Sequence, residues 1–227
     1  MTIPIRTALA ILLTALLISP LAAEDKCAKK AKPIDLLADD LAAWNFFSAE
    51  KDTKMADVWT LKDGVLTCKG TPLGYISTKK DYKDFTLKLK WRWPAKQDPG
   101  KGGILIRTTG KDKVWPRCLE AQINVGDAGD FWALDGYKLD GPKKRTKKLS
   151  HEQFGELTNI KKTKATEKPA GQWNSYEVIA KGPVVTLKHN GQVVNRSKRC
   201  EDITGKFCLT AEGNGIEFSE VELIPAD

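Results

Sequence analysis

Phe85, Leu87, Leu89, Trp91 and Trp93 alternate with Thr86, Lys88, Lys90 and Arg92. A period of two puts one side of such a segment in a core and the other in water, so it reads as a β-strand. Leu119, Ala121, Ile123 and Val125 alternate in the same way with Glu120, Gln122 and Asn124, and Phe207, Leu209 and Ala211 with Cys208 and Thr210. Residues 176–180 and 184–189 read as two more strands. Asn190-Gly191 then joins 184–189 to 192–195 as a two-residue hairpin turn, because both turn positions need positive φ. A last strand spans 216–224, where the apolar face shifts between Phe218 and Val221, as at a β-bulge.

Past the first two dozen residues no long helical period appears, and 35–44 offers one short helical turn at most. Many short strands separated by turn signals predict an all-β, two-sheet antiparallel sandwich or jelly roll. The stretch 127–171, rich in Lys, Gly and Thr, breaks the alternation and reads as a long, solvated loop.

The N-terminus has the three parts of a secretory leader: a basic start to Arg6, an apolar run over 8–18, and small residues before Glu24-Asp25. The run is short for a membrane span. The expected organisation is a signal peptide over 1–23, a short linker over 24–33 and one domain over 34–227, secreted or periplasmic, with no membrane span after cleavage. Five cysteines, Cys27, Cys68, Cys118, Cys200 and Cys208, could form disulfides in such a compartment, and an odd number leaves at least one unpaired within the chain. No C-x-x-C pair occurs, and there are two histidines, so no structural zinc signature is present. The net charge of +8 is concentrated between Lys138 and Lys168, with ten Lys or Arg against four Asp or Glu. No nucleic-acid motif accompanies that charge, so no nucleic-acid partner is expected.

Several blocks stand in a distinctive order. Gly102-Gly103-Ile104-Leu105-Ile106-Arg107 precedes Trp115-Pro116-Arg117-Cys118-Leu119-Glu120-Ala121-Gln122, then Gly126-Asp127-Ala128-Gly129-Asp130-Phe131-Trp132. Gly171-Gln172-Trp173-Asn174, Asn190-Gly191-Gln192 and Ala211-Glu212-Gly213 follow. In this order they resemble the 3-keto-disaccharide hydrolase domain family over roughly residues 34–224. The resemblance implies a concanavalin-like jelly roll and cleavage of glycosides whose sugar is a ketone at C3. Members often carry Asn-Ser where Gly102-Gly103 stand here, so a polar role at that turn is in question. A C3 ketone acidifies the C2 hydrogen; a base removes it, the enolate expels the glycosidic oxygen from C1, and water adds later. Such a site needs a base, a donor for the enolate oxygen and an acid for the leaving group.

Glu120, Gln122 and Asn124 share one strand face, which alternation alone makes a solvated surface as readily as a site. Glu120 and Gln122 fall on the family motif, which makes Glu120 the expected base. Two roles are open to Arg107 beside it: donor to a substrate oxygen, or ion-pair partner of Glu120. Trp132 either stacks on a sugar or caps the core, Asp130 can accept from sugar hydroxyls, and Glu212 is either a binding residue or a turn residue. His151 is a candidate acid if its loop folds over the site. No cofactor is identified, although Asn124, Asp127 and Asp130 offer oxygen ligands to a divalent cation such as calcium. The expected partner is a carbohydrate or glycoside substrate. The competing reading is a lectin-like, non-catalytic carbohydrate-binding module on the same scaffold.

Overall fold

The computed structural model describes residue 1 and residues 31–226. The expected leader, most of the linker and Cys27 lie outside the described residues. Two antiparallel sheets pack face to face, as the alternation predicted. In the first, the strands run Gln192–Arg196, Val184–His189, Asn174–Lys181, Phe85–Arg92, Ile216–Pro225, Val65–Cys68 and Trp59–Lys62, with Ile34–Asp35 added beside Ile216–Pro225. In the second they run Thr146–His151, Gly155–Ile160, Phe131–Leu134, Arg117–Gln122, Gly103–Thr109, Lys206–Ala211, Gly74–Thr78 and Trp44–Ser48. This is a two-sheet jelly roll. No helix among the described residues is long and apolar enough to cross a membrane.

The first sheet is half wet. Along Phe85–Arg92 the odd positions are buried and the even ones are not. Asn190 (φ 50°) and Gly191 (φ 76°) make the hairpin turn, and the last strand bulges between Ser219 and Glu222, with Glu220 at φ 50°. The turn expected within 35–44 is a three-residue one, Asp39–Leu41, whose residues all have positive φ.

The second sheet is dry on both faces over its middle. Its inner face contributes Ile104, Leu119, Ala121, Phe131 and Leu209 to the main core. Its outer face carries a separate buried cluster, Tyr75, Leu105, Cys118, Leu134, Leu157 and Cys208, roofed by Trp115 and Phe154 among others. Tyr176 ties the sheets together: its hydroxyl crosses the core and donates to the carbonyl of Gln122 at 2.7 Å. His189, buried against Trp91 and Tyr176, is held at a pKa of about 4 by that burial, which fits a neutral core imidazole rather than a proton carrier.

Three expectations change. The stretch 127–171 is a long loop only from 161 on: Phe131–Leu134, Leu139–Asp140, Thr146–His151 and Gly155–Ile160 are strands, most of them extending the second sheet. Thr146–His151 is the sheet edge and none of its side chains is buried, so no apolar period could mark it. Its lysines suit an edge strand that must not pair with another chain.

Second, Cys68, Cys118, Cys200 and Cys208 are all free, buried thiols. Cys118 and Cys208 share the outer face but are separated by the Gly103–Thr109 strand, roughly 10 Å at two strand spacings, which is beyond disulfide reach. Burial pushes the Cys68 and Cys208 thiols up to about 12.

Third, Arg107 does not reach Glu120. The Gly103–Thr109 strand bulges, with Arg107 at φ 51° and the pairing register slipping between Ile106 and Thr109. The guanidinium is fully buried at the end of the sandwich. It donates to the carbonyls of Glu201 (2.5 Å), Gly182 (2.8 Å) and Lys83 (3.0 Å) and faces Asp84 at 3.3 Å. It is a clamp on three loops. Gly205 makes the bulge possible, since a Cβ there would lie 2.6 Å from the Arg107 carbonyl carbon.

Removing a buried, hydrogen-bonded charge typically costs about 3 kcal/mol or more, and a chain of this length loses about 2–4 °C of Tm per kcal/mol. Arg107→Ala is therefore expected to lower Tm by roughly 6–12 °C, measured by thermal melting. A melt unchanged from wild type would show that the clamp is dispensable. In the basic segment, Lys143 and Lys144 are exposed, whereas Arg145 is half-buried and bonds Lys161 O and Asn195 Oδ1. Reversing both lysine charges should leave Tm within about 1–2 °C, since exposed charges contribute little; Arg145→Glu should lower it clearly, by the same melt.

Candidate active site

The Arg117–Gln122 strand lies between Gly103–Thr109 and Phe131–Leu134 in the middle of the second sheet. Alternation sends Leu119 and Ala121 into the core, and Cys118, Glu120 and Gln122 to the outer face. Glu120 stands opposite Leu105 on one neighbour and Trp132 on the other. It is 5% exposed. Gly103 gives it room: a Cβ on Gly103 would lie 2.3 Å from Glu120 Oε1 and 3.0 Å from its Cδ. The carboxyl therefore rests on bare backbone. Of the glycine pair noted as a departure from the family pattern, Gly103 is thus a steric allowance for Glu120 rather than a polar group.

Among the described residues, Glu120 makes no ion pair and no side-chain hydrogen bond, and the nearest ionisable influences are other carboxylates. Burial, then the charges of Glu212 and Asp130, hold its pKa well above the usual carboxylate range. Glu212 follows the Lys206–Ala211 strand on the far side of Gly103. Its Oε1 is buried without a hydrogen-bond partner. Burial raises this carboxyl too, with neighbouring Thr210 and Lys101 drawing the other way. Thr210 Oγ1 fixes the floor between them, accepting from Gly103 N at 2.7 Å and donating to Gly103 O at 3.1 Å.

On the other flank, the Trp132 indole N–H donates to Gln122 Oε1 at 3.0 Å. This pins the amide and leaves its NH2 free to donate. Trp132 is half-buried, so it is partly a cap and partly an accessible ring.

Other candidates fall elsewhere. Asp130 is fully buried and committed: Oδ1 accepts from Lys162 N (2.9 Å), and Oδ2 accepts from Asn159 (3.4 Å) and faces Lys161 Nζ (3.0 Å). It positions neighbours and has no oxygen left for a sugar hydroxyl. Asn124 is turned away, accepting from Gly102 N at 3.0 Å. The oxygens considered for calcium therefore do not converge, and the Lys161 ammonium itself sits between Asp127 (2.9 Å) and Asp130. Among the described residues no group of three or more His, Cys, Asp or Glu is arranged to hold a metal.

His151 is exposed at the tip of the outer hairpin. Its ring stacks on Phe154 (4.2 Å), which packs on Trp115 (4.6 Å), and its Nδ1 accepts from Gln153 N at 3.2 Å. It has no contact with Glu120 or Glu212. The sequence reading missed Thr210, the space that Gly103 leaves for Glu120, and the roof of Trp115 and Phe154. One signal was available: Cys118 and Cys208 fall on positions that alternation assigns to solvent, and buried thiols there mark a covered face.

A cleft of about 810 Å3 lies apart from Glu120 and is lined by Tyr137, Lys138, Lys148, Arg199 and Glu201. Its Glu201 is neutralised by a bidentate pair with Arg117 (2.5 and 2.6 Å). A buried carboxyl without an ion-pair partner and with a strongly perturbed pKa is itself a pointer to a functional site.

The fold has known counterparts. A candidate glycosyl hydrolase from Parabacteroides distasonis is 20% identical, covering 83% of this chain and 91% of its own, with a TM-score of 0.57. A carbohydrate-binding module from Bacillus subtilis is 12% identical over 80% and 95% of the two chains, at 0.56. A β-glucanase from Bacillus licheniformis is 10% identical over 88% and 100%, also at 0.56. At these identities the likeness concerns the fold. No curated protein matches the sequence. The match of a family model to residues 33–224, nearly the whole described chain, establishes that this protein belongs to the 3-keto-alpha-glucoside-1,2-lyase-like domain family.

Proposed function

We propose that this chain cleaves glycosides of 3-keto sugars by elimination followed by hydration, with Glu120 as the base that removes the C2 proton. The observation that carries the reading is a buried carboxyl, cleared by Gly103, with no cation or donor to neutralise it. An unpaired buried acid is costly to folding and is kept where its chemistry is used. A carboxylate whose pKa is held above the ordinary carboxylate range is also a stronger base than an ordinary surface glutamate. The free NH2 of Gln122 supplies a donor for the enolate oxygen, the role once open to Arg107. Trp132 gives a sugar ring an apolar surface to lie on. The leader-like residues 1–23 add export, so the reaction belongs outside the cytoplasm, with a carbohydrate or glycoside as partner.

Glu120→Gln keeps shape but cannot accept the proton. Turnover of a 3-keto-glycoside should fall by about two to four orders of magnitude, while affinity falls much less because Gln122 and Trp132 remain. Unoxidised parent glycosides should not be cleaved by either protein. A non-catalytic binding module would give no turnover in wild type. Full turnover by a folded Glu120→Gln protein would remove Glu120 as the base.

Stability carries a second prediction. A carboxyl that holds its proton more tightly folded than unfolded favours the fold at low pH, and that contribution is lost as pH rises through its folded-state pKa. Glu120→Gln removes this titration. Its Tm should match or exceed wild type at pH 8, and the advantage should shrink toward pH 4, as measured by melting across that range. A variant less stable than wild type at pH 8 would mean that Glu120 serves the fold instead.

A further inference from the structure

The reaction also needs an acid, and the exposed, distant His151 does not provide one. Glu212 has the features of one. It lies beside Thr210, which bonds the glycine that Glu120 rests on, across strands fixed in register: Leu105 stands between Glu120 and Cys208, and Ile104 opposite Leu209, so Gly103 and Thr210 face each other. Its Oε1 is fully buried and unpartnered. A cavity of about 10 Å3, lined by Tyr75, Leu105, Trp115, Thr210 and Glu212, adjoins it and is about the size of one water molecule. Two buried carboxyls so placed disfavour each other's ionised form, so the pair holds a proton more tightly than an exposed glutamate would.

We propose that Glu120 and Glu212 work as one acid–base pair, Glu120 taking the C2 proton and Glu212 protonating the departing glycosidic oxygen; this rests on the ketoglycoside reading above. In the first half, the C2–H bond breaks to Glu120. The C1–O bond breaks with its electron pair going to oxygen, and the Glu212 proton goes to that oxygen, leaving a C1=C2 double bond conjugated to the ketone. In the second half, water adds to C1 and gives its proton to Glu212, while Glu120 returns its proton to C2. Both carboxyls regain their starting states, and the net change is hydrolysis.

The pair is separated by leaving-group chemistry. With purified full-length protein, cleavage of p-nitrophenyl and methyl 3-keto-glucosides is measured alongside C2 hydrogen exchange into D2O by NMR. Glu212→Gln should keep C2 exchange and keep p-nitrophenyl cleavage within about tenfold, because that leaving group departs without a proton. It should lose methyl glycoside cleavage by roughly two to three orders of magnitude, the usual range for a positioned acid. Glu212→Asp, which keeps the proton, should recover part of that loss and carries the same test if the Gln variant does not fold. Glu120→Gln should lose exchange and both cleavages. Equal losses on both leaving groups in Glu212→Gln, or loss of C2 exchange, would overturn Glu212 as the acid while leaving Glu120 in place. A wild-type protein that neither exchanges nor cleaves any 3-keto-glucoside would overturn the ketoglycoside reading itself, and this pair with it.

Discussion

The resting of the Glu120 carboxyl on the bare backbone of Gly103 is the contact that organises the site. A side chain at 103 would meet Glu120 Oε1 at 2.3 Å. Without one, a carboxyl can lie flat in a sheet face that is otherwise dry. That placement is unfavourable in itself, because a buried acid loses hydration and gains nothing from a partner. The rest of the molecule supplies the rigidity that keeps it there. Tyr176 anchors the site strand from beneath through Gln122 O, Thr210 locks the neighbouring strand to Gly103, and Trp132 holds the Gln122 amide. Arg107 does its work at the sandwich end, joining the 83–84, 182 and 201 segments so that the strands on either side cannot splay.

Much of the scaffold could be read from alternation, because the first sheet has one wet face. Phe85–Arg92 and Ile216–Pro225 behaved as period-two strands, and even the bulge in the latter was visible as a phase shift. Alternation also placed Glu120 and Gln122 together. It failed at Arg107 because it assumes a regular strand, and a single residue at positive φ carried that side chain out of the row. It failed over 127–171 because the edge strand Thr146–His151 has no buried side, while Gly155–Ile160 is buried at four successive residues and so shows no alternation. It gave no view of Glu212, whose position depends on Lys206–Ala211 pairing with Gly103–Thr109 a hundred residues earlier. Gly103 was noticed for what it lacked, whereas the space it leaves is its contribution.

The two faces of the second sheet divide labour. The inner one is packed as any sandwich core is. The outer one holds an apolar half under Trp115 and Phe154 and a polar half around Glu120, Gln122 and Glu212. Adjacent dry and polar surfaces strengthen electrostatic effects at the boundary, since the low dielectric of one side reaches the charges on the other.

The free thiols have a consequence for where such a chain can mature. Cys68, Cys118, Cys200 and Cys208 are all sealed inside, and burial holds them in the unreactive protonated form. A domain stapled by disulfides depends on oxidase and isomerase activity and fails in reducing surroundings. Here the described residues ask nothing of the local redox potential. Oxidants that would cross-link exposed cysteines find none of these four thiols at the surface.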